Sequence, residues 1–263
     1  MTKSLKNKGL QFYTPLVTMA DYVGRLILPK KPHIFIACMP KSASTFLAHG
    51  LEEYGGLRRA RLVSSWGRRE QELDELRLSR YNHYAYVSQH HTRNSDWAQE
   101  LIRRYHLTPV ILMRNIFDIV ISLRDHIRKD DIEMPFAYFD ETHRALPDEQ
   151  LEQMIVDLAM PWFINFYMGW RDDKNAIFIQ YEDMIANPER VMTQILEAAN
   201  VKVDENKIAE AIEKNQAKQN RFNKGVAGRG KDLKPETRNQ ILRYISYYPD
   251  IQNDEYIKSI KSV

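Results

Sequence analysis

The sequence predicts an α/β fold, a mostly parallel central sheet flanked by helices, in a single domain. Three observations predict it. Four short apolar runs, at 34–38, 84–88, 110–113 and 176–179, are spaced along the chain, as strands buried on both faces are. Patterns of helical period separate and follow them, and alternation of strand with helix builds a parallel sheet covered on both sides. At 263 residues, with no Gly/Ser-rich or Pro-rich linker, the chain is suited to one large core.

The elements follow in order. The run 34–38, Ile-Phe-Ile-Ala-Cys, turns through Pro40 and Lys41 into a helix at 45–54. The run 84–88 is followed by a helix at 95–105, and the run 110–113 by one at 117–129. A long helix at 151–170 carries Met154, Trp162, Phe163, Phe166 and Trp170, which its period makes core residues rather than ligand contacts. The run 176–179 comes next, then helices at 188–199, 205–214 and 235–247. The domain expected is 1–263, with 1–32 as an N-terminal extension packed on the core. Between 130 and 148, Pro135, Phe136, Tyr138, Phe139 and His143 form either a lid over an acceptor pocket or an ordinary surface loop.

Charge and cysteine content narrow the function. Lys and Arg number 38 against 35 Asp and Glu, and a net charge of +3 does not describe a nucleic-acid binder. Cys38 is the single cysteine, which excludes an intramolecular disulfide and gives no CxxC or Cys/His metal pattern, so a reducing cytoplasm is the simplest compartment. Residues 10–28 are broken by Thr14, Pro15, Asp21, Gly24 and Arg25, too often for a signal peptide or membrane span. Phe12, Tyr13, Leu16, Val17 and Tyr22 leave weak association with a membrane surface as the alternative to packing on the core. Arg58, Arg59, Arg61, Arg68 and Arg69 read first as a solvated helical face, and second as an attractor for an acidic acceptor.

Ligands of open parallel sheets bind beyond the carboxyl ends of the strands, which picks out three places. After the first run comes Pro40-Lys41-Ser42-Ala43-Ser44-Thr45-Phe46. A helix N-terminus has unpartnered N–H groups and a favourable dipole for anions, and Lys41 adds a full charge, so phosphate or sulfate fits there. The lysine precedes the hydroxyls and the loop holds no glycine before Gly50, so it is not a GxxxxGK[ST] loop. After the second run come Gln89, His90 and His91. Strand side chains alternate, so one of the two histidines faces the crevice, where a neutral imidazole can take a proton from a hydroxyl. After the third comes Arg114, with Ser122 eight residues on, a spacing that lets both reach one ligand from a helix. A guanidinium fork with an added hydroxyl suits a phosphate dianion.

These motifs resemble those of the PAPS-dependent sulfotransferases. Pro40 to Leu47 is similar to the family's 5′-phosphosulfate loop, PKSGTTWL, and Arg114, Asn115, Asp118 and Ser122 fit its 3′-phosphate element, RNPxDxxxS, with Ile116 in place of the proline. Near the C-terminus Lys224, Gly225 and Gly228 match the RKGxxGDW loop, with Asn223 at its arginine and Arg229 and Gly230 at its aspartate and tryptophan. Tyr181-Glu182-Asp183-Met184 resembles its YEDL segment. The resemblance implies a P-loop-like sulfotransferase fold and transfer of a sulfuryl group from PAPS, with PAP as product and no metal, to a hydroxyl or amine of a small-molecule or glycan acceptor.

It further implies residue roles. Lys41, Ser42, Ala43, Ser44 and Thr45 would hold the 5′-phosphate, Phe46 would stack on adenine where the family has tryptophan, and Arg114 with Ser122 would hold the 3′-phosphate. Arg221, Asn223, Lys224 and Gly225 would cover the nucleotide, with Arg221 or Arg229 supplying the missing charge. His91 is the expected base, in the position of the family's KTH histidine, and His90 is the reserve. Gln89 stands where that pattern has lysine. Lys41 would stabilise the leaving oxygen, and Ser122 would restrain Lys41 until an acceptor arrives. Residues 231–236 do not reproduce the family's dimer motif, KxxxTVxxxE, so the oligomeric state stays open. Two alternatives remain: an ATP-dependent phosphotransferase, with Glu182 or Asp183 after a strand as magnesium ligand, and a non-catalytic module binding 3′-phosphoadenosine compounds.

Overall fold

A computed structural model describes residues 31–63, 71–130, 132–218 and 226–262. The expected N-terminal extension lies outside these residues except for residues 31 and 32, as does the apolar segment 10–28. Among the described residues no helix is long and apolar enough to cross a membrane.

The sheet has five strands. β1 (His33–Cys38) lies at its centre, between β3 (Tyr86–His90) and β4 (Thr108–Met113), with β2 (Arg58–Ala60) and β5 (Ile177–Gln180) at the edges. All four pairings are parallel, in the order β2-β3-β1-β4-β5. The helices are α1 (Ser44–Glu53), α2 (Glu75–Tyr81), α3 (Asp96–Tyr105), α4 (Ile116–Lys129), α5 (Asp148–Leu158), α6 (Met160–Trp170), α7 (Tyr181–Ala186), α8 (Pro188–Ala198), α9 (Glu205–Lys218), α10 (Pro235–Ser246) and α11 (Glu255–Lys261).

Strand alternation divides the core in two. Ile34, Ile36 and Cys38 pack with Val87, Val110 and Leu112 against α1, α8 and α9. Phe35 and Ala37 pack with Tyr86, Ile111 and Met113 against α3, α4, α5 and α6. Every one of these strand residues is buried, which is why the runs read as apolar throughout. The strand order reverses around β1: the chain leaves β1 for the β2 edge on one side, returns through β3, and then crosses past β1 to β4 and β5 on the other. A crevice at the carboxyl end of β1 follows.

Several elements differ from expectation for identifiable reasons. The expected strand 84–88 runs instead from Tyr86 to His90, because Tyr86 pairs with His33 and its N–H donates to the Pro32 carbonyl at 3.0 Å. Arg58 and Arg59 are not on a helical face: they belong to edge strand β2, where charged side chains are tolerated and discourage further pairing. The expected helix 151–170 is two, broken at Ala159, because Pro161 lacks an N–H and takes up the first turn of α6. α2 is capped by Asp74, whose carboxylate accepts the N–H groups of Leu76 and Arg77.

Candidate active site

The loop from Met39 to Ala43 carries the chain from β1 into α1. Lys41 and Ala43 both sit in the left-handed region, at φ 67° and 59°. Such conformations turn backbone N–H groups toward one side and form anion-binding concavities. For residues with a Cβ they cost about 1–2 kcal/mol each, strain of the kind found at functional sites. The Ser42 hydroxyl is turned inward and donates to the Met39 carbonyl at 2.6 Å, so this side chain braces the turn and does not line the cleft.

Arg114 follows β4. It is buried, its Nη1 donates to the Lys41 carbonyl at 2.8 Å, and its Nη2 to the Val226 carbonyl at 3.2 Å. The guanidinium lies 4.1 Å over the ring of Tyr181 and 3.7 Å from Asp118. Asn115 caps α4 by accepting the Phe117 N–H at 2.9 Å, and Ile116 takes the first helical position, one that proline also fits. Two turns on, Ser122 is buried and lines the same cleft as Arg114.

Arg114, Ser122 and Tyr181 line one cleft of about 320 Å³ with Lys41, Ala43, Ser44, Thr45, Phe46, Gln89 and His91. Lys41 and Ser122 share its wall without a hydrogen bond between them. Burial, with the charge of Arg114 adding to it, pulls the Lys41 ammonium below the ordinary lysine pKa, while Asp130 and Asp125 oppose the shift. Lys41 is therefore a partly desolvated cation, stronger toward an arriving anion than a solvated one. Arg221, Asn223, Lys224 and Gly225 lie outside the described residues. Arg229 is engaged elsewhere, with its Nη2 on Asp125 at 2.5 Å.

The two histidines separate as alternation requires. His90 is buried, its Nε2 accepts the Leu62 N–H at 2.9 Å, and burial, with positive neighbours adding to it, pushes its pKa down to about 3. His90 is thus a neutral structural acceptor, and the reserve assignment falls. His91 lies just past the strand, 3.0 Å from the Cys38 carbonyl through Nδ1. A carbonyl only accepts, and the Cys38 thiol 3.4 Å from the same nitrogen donates to the His90 carbonyl, so Nδ1 carries the proton and the basic lone pair is that of Nε2.

The cleft is further lined by the apolar side chains of Leu123, Met134, Pro135 and Phe136, with His126 and Glu133 as polar members. The segment expected to be a lid or a loop does line the cleft. Phe136 packs against Trp162 and Phe163 at ring separations of 5.7 and 5.2 Å, and the Pro135 carbonyl accepts from Gln71, itself held by Trp162 Nε1 at 2.7 Å.

Glu182 is a brace. Its Oε1 accepts the Asn115 N–H at 3.4 Å, and burial pushes the carboxyl above the usual range. Among the described residues no group of three or more His, Cys, Asp or Glu gathers as a metal site would. Sequence reasoning missed the platform under Arg114. Tyr181 was visible only as a neighbour of the acidic pair, and its signal was its place immediately after a strand. Asp118 fitted a motif with no role attached: its carboxylate accepts the N–H groups of Gly228 and Gly230 at 2.8 and 2.7 Å, tying the C-terminal loop to α4.

A parallel sheet with two linked anion-binding elements at its switch point, and an oriented imidazole beside them, defines a group-transfer enzyme with an anionic donor. The chain belongs to the sulfotransferase family, whose domain matches residues 31–241. Mouse sulfotransferase SULT7A1 complexed with PAP is similar in structure, with a TM-score of 0.62 at 14% identity over 89% of this chain and 88% of that one. Retinol dehydratase in complex with androsterone and inactive cofactor PAP gives 0.55 at 15% identity, over 90% and 85%. At such identities the likeness is one of fold. No curated protein matches the sequence.

Proposed function

We propose that this protein transfers a sulfuryl group from PAPS to a hydroxyl or amine of a small-molecule acceptor, with His91 as base. The observation that supports it is the convergence of Lys41, Arg114, Ser122 and His91 on one cleft. The acceptor proton goes to His91 Nε2 as the acceptor oxygen or nitrogen attacks sulfur. The bond from sulfur to the 5′-phosphate oxygen breaks, and its electron pair leaves on PAP. Lys41 and the N–H groups of the 41–45 turn stabilise the charge that develops on that oxygen. Arg114 and Ser122 hold the 3′-phosphate, Phe46 carries the adenine, and Arg221, Asn223, Lys224 and Gly225, outside the described residues, are assigned to nucleotide binding by their match to the family's loop. Leu123, Met134, Pro135 and Phe136 favour an acceptor with an apolar body. The lone buried Cys38 fits a cytoplasmic setting.

Thermal shift tests the donor. PAP without magnesium should raise the melting temperature, by ligand linkage, more than coenzyme A or magnesium ATP does. Stabilisation by magnesium ATP in preference to PAP would overturn the reading. For the base, His91→Ala should lower turnover by about 10²–10⁴-fold while PAP affinity is retained. Full turnover in that variant would reject the assignment.

A further inference from the structure

The mechanism above leaves one charge beside the cleft unused. Arg59 lies on edge strand β2 opposite Val87, on the face of the sheet that carries Gln89 and Cys38. Its Nη2 donates to Gln89 Oε1 at 2.7 Å, and its Nη1 is buried with no hydrogen-bond partner among the described residues. No carboxylate among the described residues forms an ion pair with it. Glu52 acts on it through space without pairing, so this half-buried guanidinium is only partly neutralised, and the cost of keeping it falls further when an anion arrives nearby.

The amide of Gln89 is oriented by this contact. A guanidinium only donates, so the Gln89 atom facing Arg59 is the oxygen, and the amide nitrogen points the other way. It lies 3.0 Å from Ser44 Oγ. Ser44 thereby accepts from Gln89, and its own proton is available to a second acceptor. The competitor within reach is the Cys38 sulfur, a weak acceptor. Ser44 and Gln89 both line the cleft, beside Lys41 and His91.

We propose that Arg59 is a positioning residue for the anionic 5′ end of the donor, acting through Gln89 and Ser44. The inference rests on the donor assigned above. Three donors stand in series, Arg59 to Gln89, Gln89 to Ser44, and Ser44 to a phosphosulfate oxygen, each polarised by the one before it. The relay delivers the influence of a cation that does not itself touch the ligand. The 3′-phosphate, held by Arg114 and Ser122, is outside its reach.

Calorimetric titration with PAP and with adenosine 3′-phosphate, which lacks the 5′ anion, tests this in the wild type and three variants. Arg59→Met should weaken PAP by about tenfold, the loss of a hydrogen bond to a charged group, and leave adenosine 3′-phosphate nearly unchanged. Arg59→Lys should restore most of the loss. Gln89→Glu should behave like Arg59→Met, because a carboxylate takes the Arg59 charge and cannot donate to Ser44. Should Arg59→Met fail to fold, the two titrations on Gln89→Glu decide. Unchanged PAP affinity, or equal loss of both ligands, would overturn the relay while sparing the donor. Absence of PAP binding in the wild type would overturn the donor itself and the relay with it.

Discussion

At the scale of single residues, strand alternation assigns the work of two adjacent histidines. His90 points into the core and holds the Leu62 N–H, and His91 closes the strand beside the cleft. Because burial holds the His90 pKa at about 3, the unfolded chain takes up a proton below pH 6.5 that the folded chain refuses. Stability should therefore fall as pH falls from 6.5 toward 3. In urea titrations at pH 7 and pH 5, His90→Gln, which can still accept the Leu62 N–H, should show a smaller acid loss than wild type. Equal losses would remove His90 as the cause. Lys41 gives a second pH effect. Its lowered pKa means that the empty site sheds a proton more readily than free lysine, whereas a bound phosphate holds the proton on. PAP affinity should fall as pH rises through the alkaline range below 10.5, and Lys41→Arg should flatten that slope; an unchanged slope would exclude Lys41 as its source. Lys41 and Arg114 were legible in the sequence because position at a strand end and spacing from neighbouring hydroxyls are local facts. Arg59 was not, since its meaning comes from Gln89 on a different strand.

At the scale of elements, α4 joins both halves of the proposed nucleotide site. Arg114 and Asn115 precede it, Ser122 lies two turns in, and Asp118 accepts two N–H groups from the loop that leads to residues 229–232. Arg229 adds an ion pair to Asp125 on the same helix. Contact at Gly230 is so close that a Cβ there would stand 2.3 Å from Phe117 Cβ and 2.8 Å from its carbonyl carbon. Asp118→Ala should leave two donors without their partner and cost roughly 2–4 kcal/mol in urea unfolding. Gly230→Ala should unseat the loop and weaken PAP binding, although neither residue lines the cleft. Wild-type stability and affinity in both variants would mean that the loop is held by other contacts. Elements with buried, continuously apolar strands were readable from the chain. The arginine-bearing β2 was not, because an edge strand of three residues carries no apolar run, and the break at Ala159 was hidden inside a pattern that stays in phase on both sides of Pro161.

At the scale of the whole molecule, the switch in strand order at β1 explains why two distant motifs form one site. The Lys41 loop leaves the central strand and Arg114 leaves its neighbour, so residues 73 apart in sequence meet, and the Arg114 guanidinium bonds directly to the Lys41 carbonyl at 2.8 Å. The order of the motifs was visible in sequence; that one brace links them was not, because it depends on strand adjacency. Tyr256 of α11 extends the brace from the far end of the chain, donating to the Arg114 carbonyl at 2.8 Å. A rigid ligand with a phosphate at each end would thus be held by two anchors that also hold each other. Removing Arg114 takes away one anchor and loosens the turn that presents the other. Lys41→Ala and Arg114→Ala should each lower PAP affinity, and the double variant should lose less than the sum of the two, with a coupling of about 0.5–3 kcal/mol. Titrating the four proteins with PAP measures it. Strict additivity would show that the two anion sites act independently and that the Arg114 to Lys41 bond carries no coupling between them.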